Sequence, residues 1–193
     1  MRSPIPATFV FVAGSTWPAD EAVLKSVLKK SLARKDNILT IVVPHEPSAK
    51  RVSSLLDAFA SDAIALSQSE QYRGEKVIVV DSIGKLFGLY READAAYVGG
   101  GFSAGVHNVI EPAVWCKPVI FGPKHSRSQE VQQLADCLAG FEIANSRELE
   151  FVLWRFLSDE DFRNQAGSNA EQFVKQGSGA TARIVKEILE FEA

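Results

Sequence analysis

Hydrophobic and polar positions alternate along this chain between two periods. Near-continuous apolar runs of strand length occur at Thr8 to Ala13, Ile38 to Val43, Ala63 to Leu66, Val77 to Val80, Ala95 to Gly99, Pro118 to Phe121 and Phe141 to Ala144. A strand that is apolar at almost every position is buried on both faces, as in a parallel sheet. Between the runs, apolar residues recur at helical spacing. Val23, Leu24, Val27, Leu28 and Leu32 mark a first helix, and Val52, Leu55, Leu56 and Phe59 a second. Further helices are predicted at Leu86 to Tyr90, from near Asn108, at Gln129 to Cys137, and through Leu149, Val152, Leu153, Phe156 and Leu157. Ser158-x-x-Asp161 opens another, and Ile184, Val185, Ile188 and Leu189 give the last, over Ala180 to Phe191. Strands alternating with helices imply right-handed βαβ crossovers. The expected fold is α/β, a Rossmann-like parallel sheet flanked by helices. Residues 1–193 are expected to form one domain whose closing helices run from about 146 to 193.

Turn residues sharpen the pattern. Gly14 to Pro18 reads as a strand-to-helix turn capped by Ser15 or Thr16, with Pro18 early in the helix and Asp20 and Glu21 facing its positive end. Pro44-His45-Glu46-Pro47 closes the second strand, and Ser67 to Lys76 is polar enough to read as a loop. Asp81-Ser82-Ile83-Gly84 turns after the fourth strand. Asn145 or Ser146 caps the helix that follows the last strand.

Composition narrows the classes of function. The 193 residues are 46% hydrophobic and carry a net charge of −3 with both signs interspersed. A core is affordable at this size, and no basic face points to nucleic acid. No apolar run approaches the roughly 20 residues that span a bilayer, and no signal-peptide pattern is present. Cys116 and Cys137 lack metal-site spacing and read as free thiols, which suits a reducing compartment. His45, His107 and His125 are too scattered to propose a metal, so neither metal nor cofactor is expected.

The stretch from Val98 to Pro112 organises the chain. Four glycines, Gly99, Gly100, Gly101 and Gly105, fall within seven residues between a strand and a helix. Such loops let another group approach the backbone, and a helix N-terminus favours anions. A phosphate is therefore expected near His107 and Asn108. Glu111, one turn on, suits sugar hydroxyls rather than phosphate. A glycine-rich turn with a capping Asn and a solvated Glu fits the loop equally well, and both readings stand at this point. Ligands of open parallel sheets bind outside the carboxyl ends of the strands. Four motifs fall at such ends: Gly14 to Trp17, Pro44 to Glu46, Asp81 to Gly84, and Gly99 to Glu111. The first turn lacks G-x-G-x-x-G and no acid ends the second strand, so a dinucleotide dehydrogenase is a poor match.

Taken together, Gly14-Ser15-Thr16-Trp17, Pro44-His45-Glu46, Asp81-Ser82-Ile83-Gly84-Lys85-Leu86 with Leu89-Tyr90, His107-Asn108-Val109-Ile110-Glu111-Pro112 and Pro118 to Pro123 resemble a known family. It is the 3-deoxy-D-manno-octulosonic acid (Kdo) transferases, lipopolysaccharide glycosyltransferases of the GT-B fold. The resemblance is to their C-terminal half and covers residues 8 to 140 by motif. Ser82 and Lys85 stand where the family often has Thr and Glu. His45 and Glu46 stand where many members have Arg and His. Ser126-Arg127 replaces a usual Asn-Phe.

The resemblance implies a domain that binds CMP-Kdo, with a lipid A precursor as acceptor. It places Gly14, Ser15, Thr16 and Trp17 on the phosphate and sugar side, Pro44 and His45 by the cytosine, and Ile83 and Gly84 near the nucleoside. His107 and Asn108 meet the phosphate, and Glu111 holds the ribose hydroxyls. Lys124 and Arg127 would suit an acidic donor, but a charged loop is the simpler reading of both. The implied catalytic base and the membrane-associating segment belong to an N-terminal domain not in this sequence, at the cytoplasmic face of the inner membrane. The chain is thus expected to be a soluble fragment with no catalytic residue of its own. The alternatives are a GT-B donor domain for a UDP-sugar and a non-catalytic nucleotide-binding module.

Overall fold

The computed structural model describes residues 8–125 and 128–177. Seven parallel strands stand in the order β3-β4-β2-β1-β5-β6-β7. They are β1 (Phe9–Thr16), β2 (Ile38–Pro44), β3 (Ala63–Ala65), β4 (Val77–Val79), β5 (Ala95–Val98), β6 (Val119–Phe121) and β7 (Gly140–Glu142). The helices are α1 (Pro18–Arg34), α2 (Ala49–Phe59), α3 (Leu86–Glu92), α4 (Ile110–Val114), α5 (Gln129–Asp136), α6 (Ser146–Ser158) and α7 (Glu160–Gly177). The helix expected over Ala180 to Phe191 lies outside the described residues, as do Met1 to Ala7 and Ser126-Arg127.

Each strand feeds both faces of the sheet. Phe11, Ala13 and Val42 point into one core layer with Leu24, Val27 and Leu28 of α1, Leu55 of α2, and Leu149, Leu153 and Phe156 of α6. Val12, Ile41 and Val43 point into the other, with Tyr90 of α3, Val109, Ala113 of α4, and Val131 and Leu134 of α5. This two-sided burial is why the strands read as unbroken apolar runs. Pairing leaves β1 towards β2 on one side and β5 on the other. The direction of winding therefore reverses between β1 and β5, and a crevice opens there at the carboxyl ends.

The structure corrects several local expectations. β1 does not stop at Gly14: it runs on to Thr16, which pairs with Pro44 after a bulge where Ser15 has φ 51°. Neither Ser15 nor Thr16 caps α1. Its cap residue is Trp17, whose amide donates to Asp20 Oδ2 at 2.9 Å. Asp20 and Glu21 stand in the first turn of α1 as expected, and both are buried, 0% and 5% exposed. The helix expected from near Asn108 is a short turn over Ile110–Val114 with Val109 as its cap residue, and Val106 to Asn108 lie outside it. The polar loop after β3 contains a 3-10 segment, Leu66–Gln71. Asp159 rather than Ser158 starts α7, accepting from the Phe162 amide at 2.9 Å, while the Ser158 hydroxyl donates back to the Trp154 carbonyl. Asn145 caps α6 as one of the two expected residues.

Candidate functional site

The crevice is built from the ends of β1, β2 and β5. Trp17 follows β1, His45 follows β2, and His107 closes the glycine loop after β5. Chain contacts lock these ends together: the His45 amide donates to the Thr16 carbonyl, Gly99 N to Gly14 O, and His107 N to Gly99 O, at 3.0, 2.8 and 3.0 Å. The Trp17 indole N–H donates to His107 Nε2 at 2.7 Å. Those two rings lie 10° from parallel with centroids 6.3 Å apart, so they sit side by side. His45 stacks across both, 4.8 Å from Trp17 and 4.4 Å from His107. Burial first, and then repulsion from His45, hold His107 below its usual pKa range, against a smaller opposite pull from Asp20.

Beneath the rings lies a buried carboxylate. Asp20 Oδ1 accepts from the Tyr97 hydroxyl at 2.8 Å, and Oδ2 accepts from the Trp17 and Gly100 amides, each at 2.9 Å. Three donors make its burial tolerable. They also tie α1, β5 and the glycine loop to one point. Gly100 has φ 94°, and a Cβ there would run into the Gly105 carbonyl. A Cβ on Gly101 would meet the Gly122 backbone at 2.6 Å, since the segment after β6 clips the loop through Lys124 N to Gly101 O and Val106 N to Lys124 O. The Lys124 ammonium donates to the Ser103 carbonyl at 3.2 Å, and Arg127 lies outside the described residues.

A second buried acid sits beside the first. Glu21 accepts from the Thr16 hydroxyl at 3.0 Å and from Arg51 Nε at 3.1 Å, while Arg51 also donates to the Thr16 carbonyl. Desolvation pushes the Glu21 carboxyl upward, and Arg51 opposes it. Arg51 is thus engaged by Glu21 and by the end of β1.

Asn108 and Glu111 come together on the rim. Asn108 Oδ1 accepts from the Ile110 amide at 3.0 Å, and its amide nitrogen reaches Glu111 Oε1 at 3.4 Å. One amide of the short α4 is therefore already taken by a side chain. Gly14 is packed beneath Tyr90 and Leu86, where a Cβ would strike the Tyr90 hydroxyl. Burial and the Glu111 charge push the Tyr90 phenol upward. Ser15 is half-buried, its hydroxyl without a hydrogen-bond partner among the described residues, and Thr16 and Pro44 are buried. Ile83 is 82% exposed beside Gly84, which has φ 79°. No hydrogen bond or ring contact among the described residues joins that turn to the ring stack.

Sequence reasoning overlooked Asp20, Tyr97 and Arg51. A signal for the first was present. Asp20 and Glu21 share the buried stripe of α1 with Leu24, Val27, Leu28 and Ser31, so helical spacing alone turns them inward.

The assembled face offers flat aromatic surface, neutral N–H and O–H donors and one rim carboxylate. A hollow of about 620 Å³ between α5 and α7 includes none of these residues. Among the described residues no helix is long and apolar enough to cross a membrane, and no cluster of His, Cys, Asp and Glu has the makings of a metal site.

Known proteins resemble this chain along most of its length. The 3-deoxy-D-manno-octulosonic acid transferase of Rickettsia felis is 27% identical over 189 residues, 94% of this chain and 40% of its own length. The Chlamydia trachomatis serovar A protein of the same name is 31% identical over 170 residues, 86% of this chain and 39% of its own. This chain is a relative of the Kdo transferases. It spans about two fifths of the length of the curated Kdo transferases it matches. No family model matches it. The C-terminal CMP-Kdo binding domain of WaaA from Acinetobacter baumannii superimposes with a TM-score of 0.77 at 22% identity, covering 86% of this chain and 89% of that one. Anabaena Alr3699/HepE in complex with UDP gives 0.68 at 16% identity, covering 95% and 49%. The fold is that of the C-terminal half of GT-B glycosyltransferases.

Proposed function

We propose that this chain is the donor-binding domain of a Kdo transferase and binds CMP-Kdo through its cytidine monophosphate. The observation that carries the reading is the convergence of Trp17, His45 and His107 from three strand ends into one ring stack at the β1–β5 crevice. Its support is the similarity to Kdo transferases over 94% of the chain. An aromatic stack suits a pyrimidine face, N–H donors suit a single phosphate, and Glu111 suits the ribose hydroxyls. In the transfer, a hydroxyl of the lipid A precursor attacks the anomeric carbon of Kdo, and the bond to the phosphate oxygen breaks. CMP leaves with that oxygen. The hydroxyl proton goes to a carboxylate of the N-terminal domain. This domain's share is to hold the nucleotide and stabilise charge on the departing phosphate. Membrane association, at the cytoplasmic face of the inner membrane, is likewise assigned to the rest of the protein.

Calorimetric titration of the 193-residue chain tests the reading. CMP is expected to bind more tightly than UMP or UDP. A tighter UDP complex transfers the domain to the users of uridine diphosphate sugars.

A further inference from the structure

We infer that Trp17 is a positioning residue that fixes the tautomer of His107, so that Nδ1–H is the donor turned into the crevice. An indole nitrogen can only donate. The 2.7 Å bond from Trp17 Nε1 to His107 Nε2 therefore requires a lone pair on Nε2, and a neutral imidazole then carries its proton on Nδ1. Orientation follows from the loop. His107 Cδ2 lies beside Gly100, at 3.0 Å from where a Cβ of that residue would be. The ring edge bearing Nε2 and Cδ2 thus faces protein, and Nδ1 is on the opposite edge. Nδ1 has no hydrogen-bond partner among the described residues.

The surroundings keep the ring neutral. His45 stacks at 4.4 Å, where a second positive charge is repelled, and His107 is half-buried. Asp20 is the acid that opposes this, and its oxygens are engaged by Tyr97, Trp17 and Gly100. Protonating Nε2 would also set two donors against each other. The consequence is a neutral donor of fixed direction, presented without a proton-transfer step before binding. The bound phosphate then accepts from Nδ1, which is the part of this inference that rests on the proposed function.

Nitrogen-detected NMR of His107 in the free 193-residue chain reads the tautomer without any ligand. Expected is a protonated Nδ1 and a bare Nε2 in the wild type. In Trp17→Phe, which keeps an aromatic ring to stack on His45 but has no N–H, this preference is lost. CMP affinity is expected to fall about 2- to 12-fold, the range of one ordinary hydrogen bond. A wild-type His107 protonated on Nε2 overturns the inference whatever the ligand result. So does a Trp17→Phe variant with the wild-type tautomer and wild-type CMP affinity. If the tautomer shifts as expected but the wild type does not bind CMP, the positioning role of Trp17 stands and the proposed function fails.

Discussion

Glu111 is the residue whose substitution separates ligand recognition from folding. Among the described residues its carboxylate takes part in one hydrogen bond, a long one from the Asn108 amide at 3.4 Å, so little of the fold depends on it. Hydrogen bonds from ribose hydroxyls to a carboxylate are charge-assisted, at roughly 1.5–3 kcal/mol each. Glu111→Gln is expected to lose about 1–3 kcal/mol of CMP affinity, roughly 5- to 150-fold, with the melting temperature of the free protein unchanged. Normal CMP binding by that variant would make Glu111 a solvated helix residue. Asn108→Ala behaves differently, because Asn108 Oδ1 is the acceptor for the Ile110 amide. It should weaken binding and also lower stability by about 1 kcal/mol, visible as a fall in melting temperature. His107 adds a pH dependence. Its folded-state pKa is depressed from 6.5, so its neutral form contributes stability that is present above 6.5 and lost as pH falls through the folded value. Melting temperature should decline on acidification below pH 6.5, and His107→Gln should flatten that part of the profile.

At the scale of elements, the join between β1, α1 and α2 is held by a buried ion pair. Glu21 is 5% exposed and faces Arg51 at 3.1 Å across two helices. Removing one partner of a buried pair leaves an uncompensated charge, at a cost of about 3–5 kcal/mol. Arg51→Met is expected to destabilise the domain by that order. The sign of its pH dependence follows from Glu21, whose folded pKa is raised. Such a group favours the fold below its ordinary value near 4.5 and loses that contribution as pH rises. Without Arg51 the folded pKa rises further, so the deficit should be small near pH 4 and full at pH 7. Urea titrations at the two pH values measure it, and an equal deficit at both would remove the charge argument. The glycine loop and the segment after β6 make a second join, backbone against backbone at Gly101 and Gly122. Gly101→Ala forces them apart and should cost about 1–3 kcal/mol, as overpacking does, together with CMP binding.

At the scale of the whole molecule, the crevice is bounded among the described residues by the edge of one sheet. The ring stack, the glycine loop and the rim residues Asn108 and Glu111 all stand at the carboxyl edge of a single sheet. The chain matches about 40% of the length of the Rickettsia felis transferase. On the proposed function, the 193-residue chain binds CMP but does not transfer Kdo. Incubation with CMP-Kdo and a lipid A precursor should yield no product, and any turnover by this chain alone would contradict the assignment of the base to another domain.

The residues alone determined the α/β class and the strand ends at which a site was expected. Apolar runs of strand length separated by helical periods admit a parallel sheet, and Gly14 to Trp17, Pro44-His45 and Gly99 to Glu111 fall at its carboxyl edge, where the proposed function puts the ligand. Both signals are local, so both were legible. Element ends were less so: β1 runs past Gly14 because Thr16 finds a partner in Pro44 on β2. The tertiary structure alone decided how the site is wired. Strand order sets Trp17 beside His107, 90 residues on, and Asp20 beneath Tyr97 and Gly100, 77 and 80 residues on. Helical spacing could turn Asp20 and Glu21 inward, but it could not name their partners. A buried acid is stable only where donors from distant strands reach it, and a histidine's tautomer is set by the one neighbour that touches its ring nitrogen.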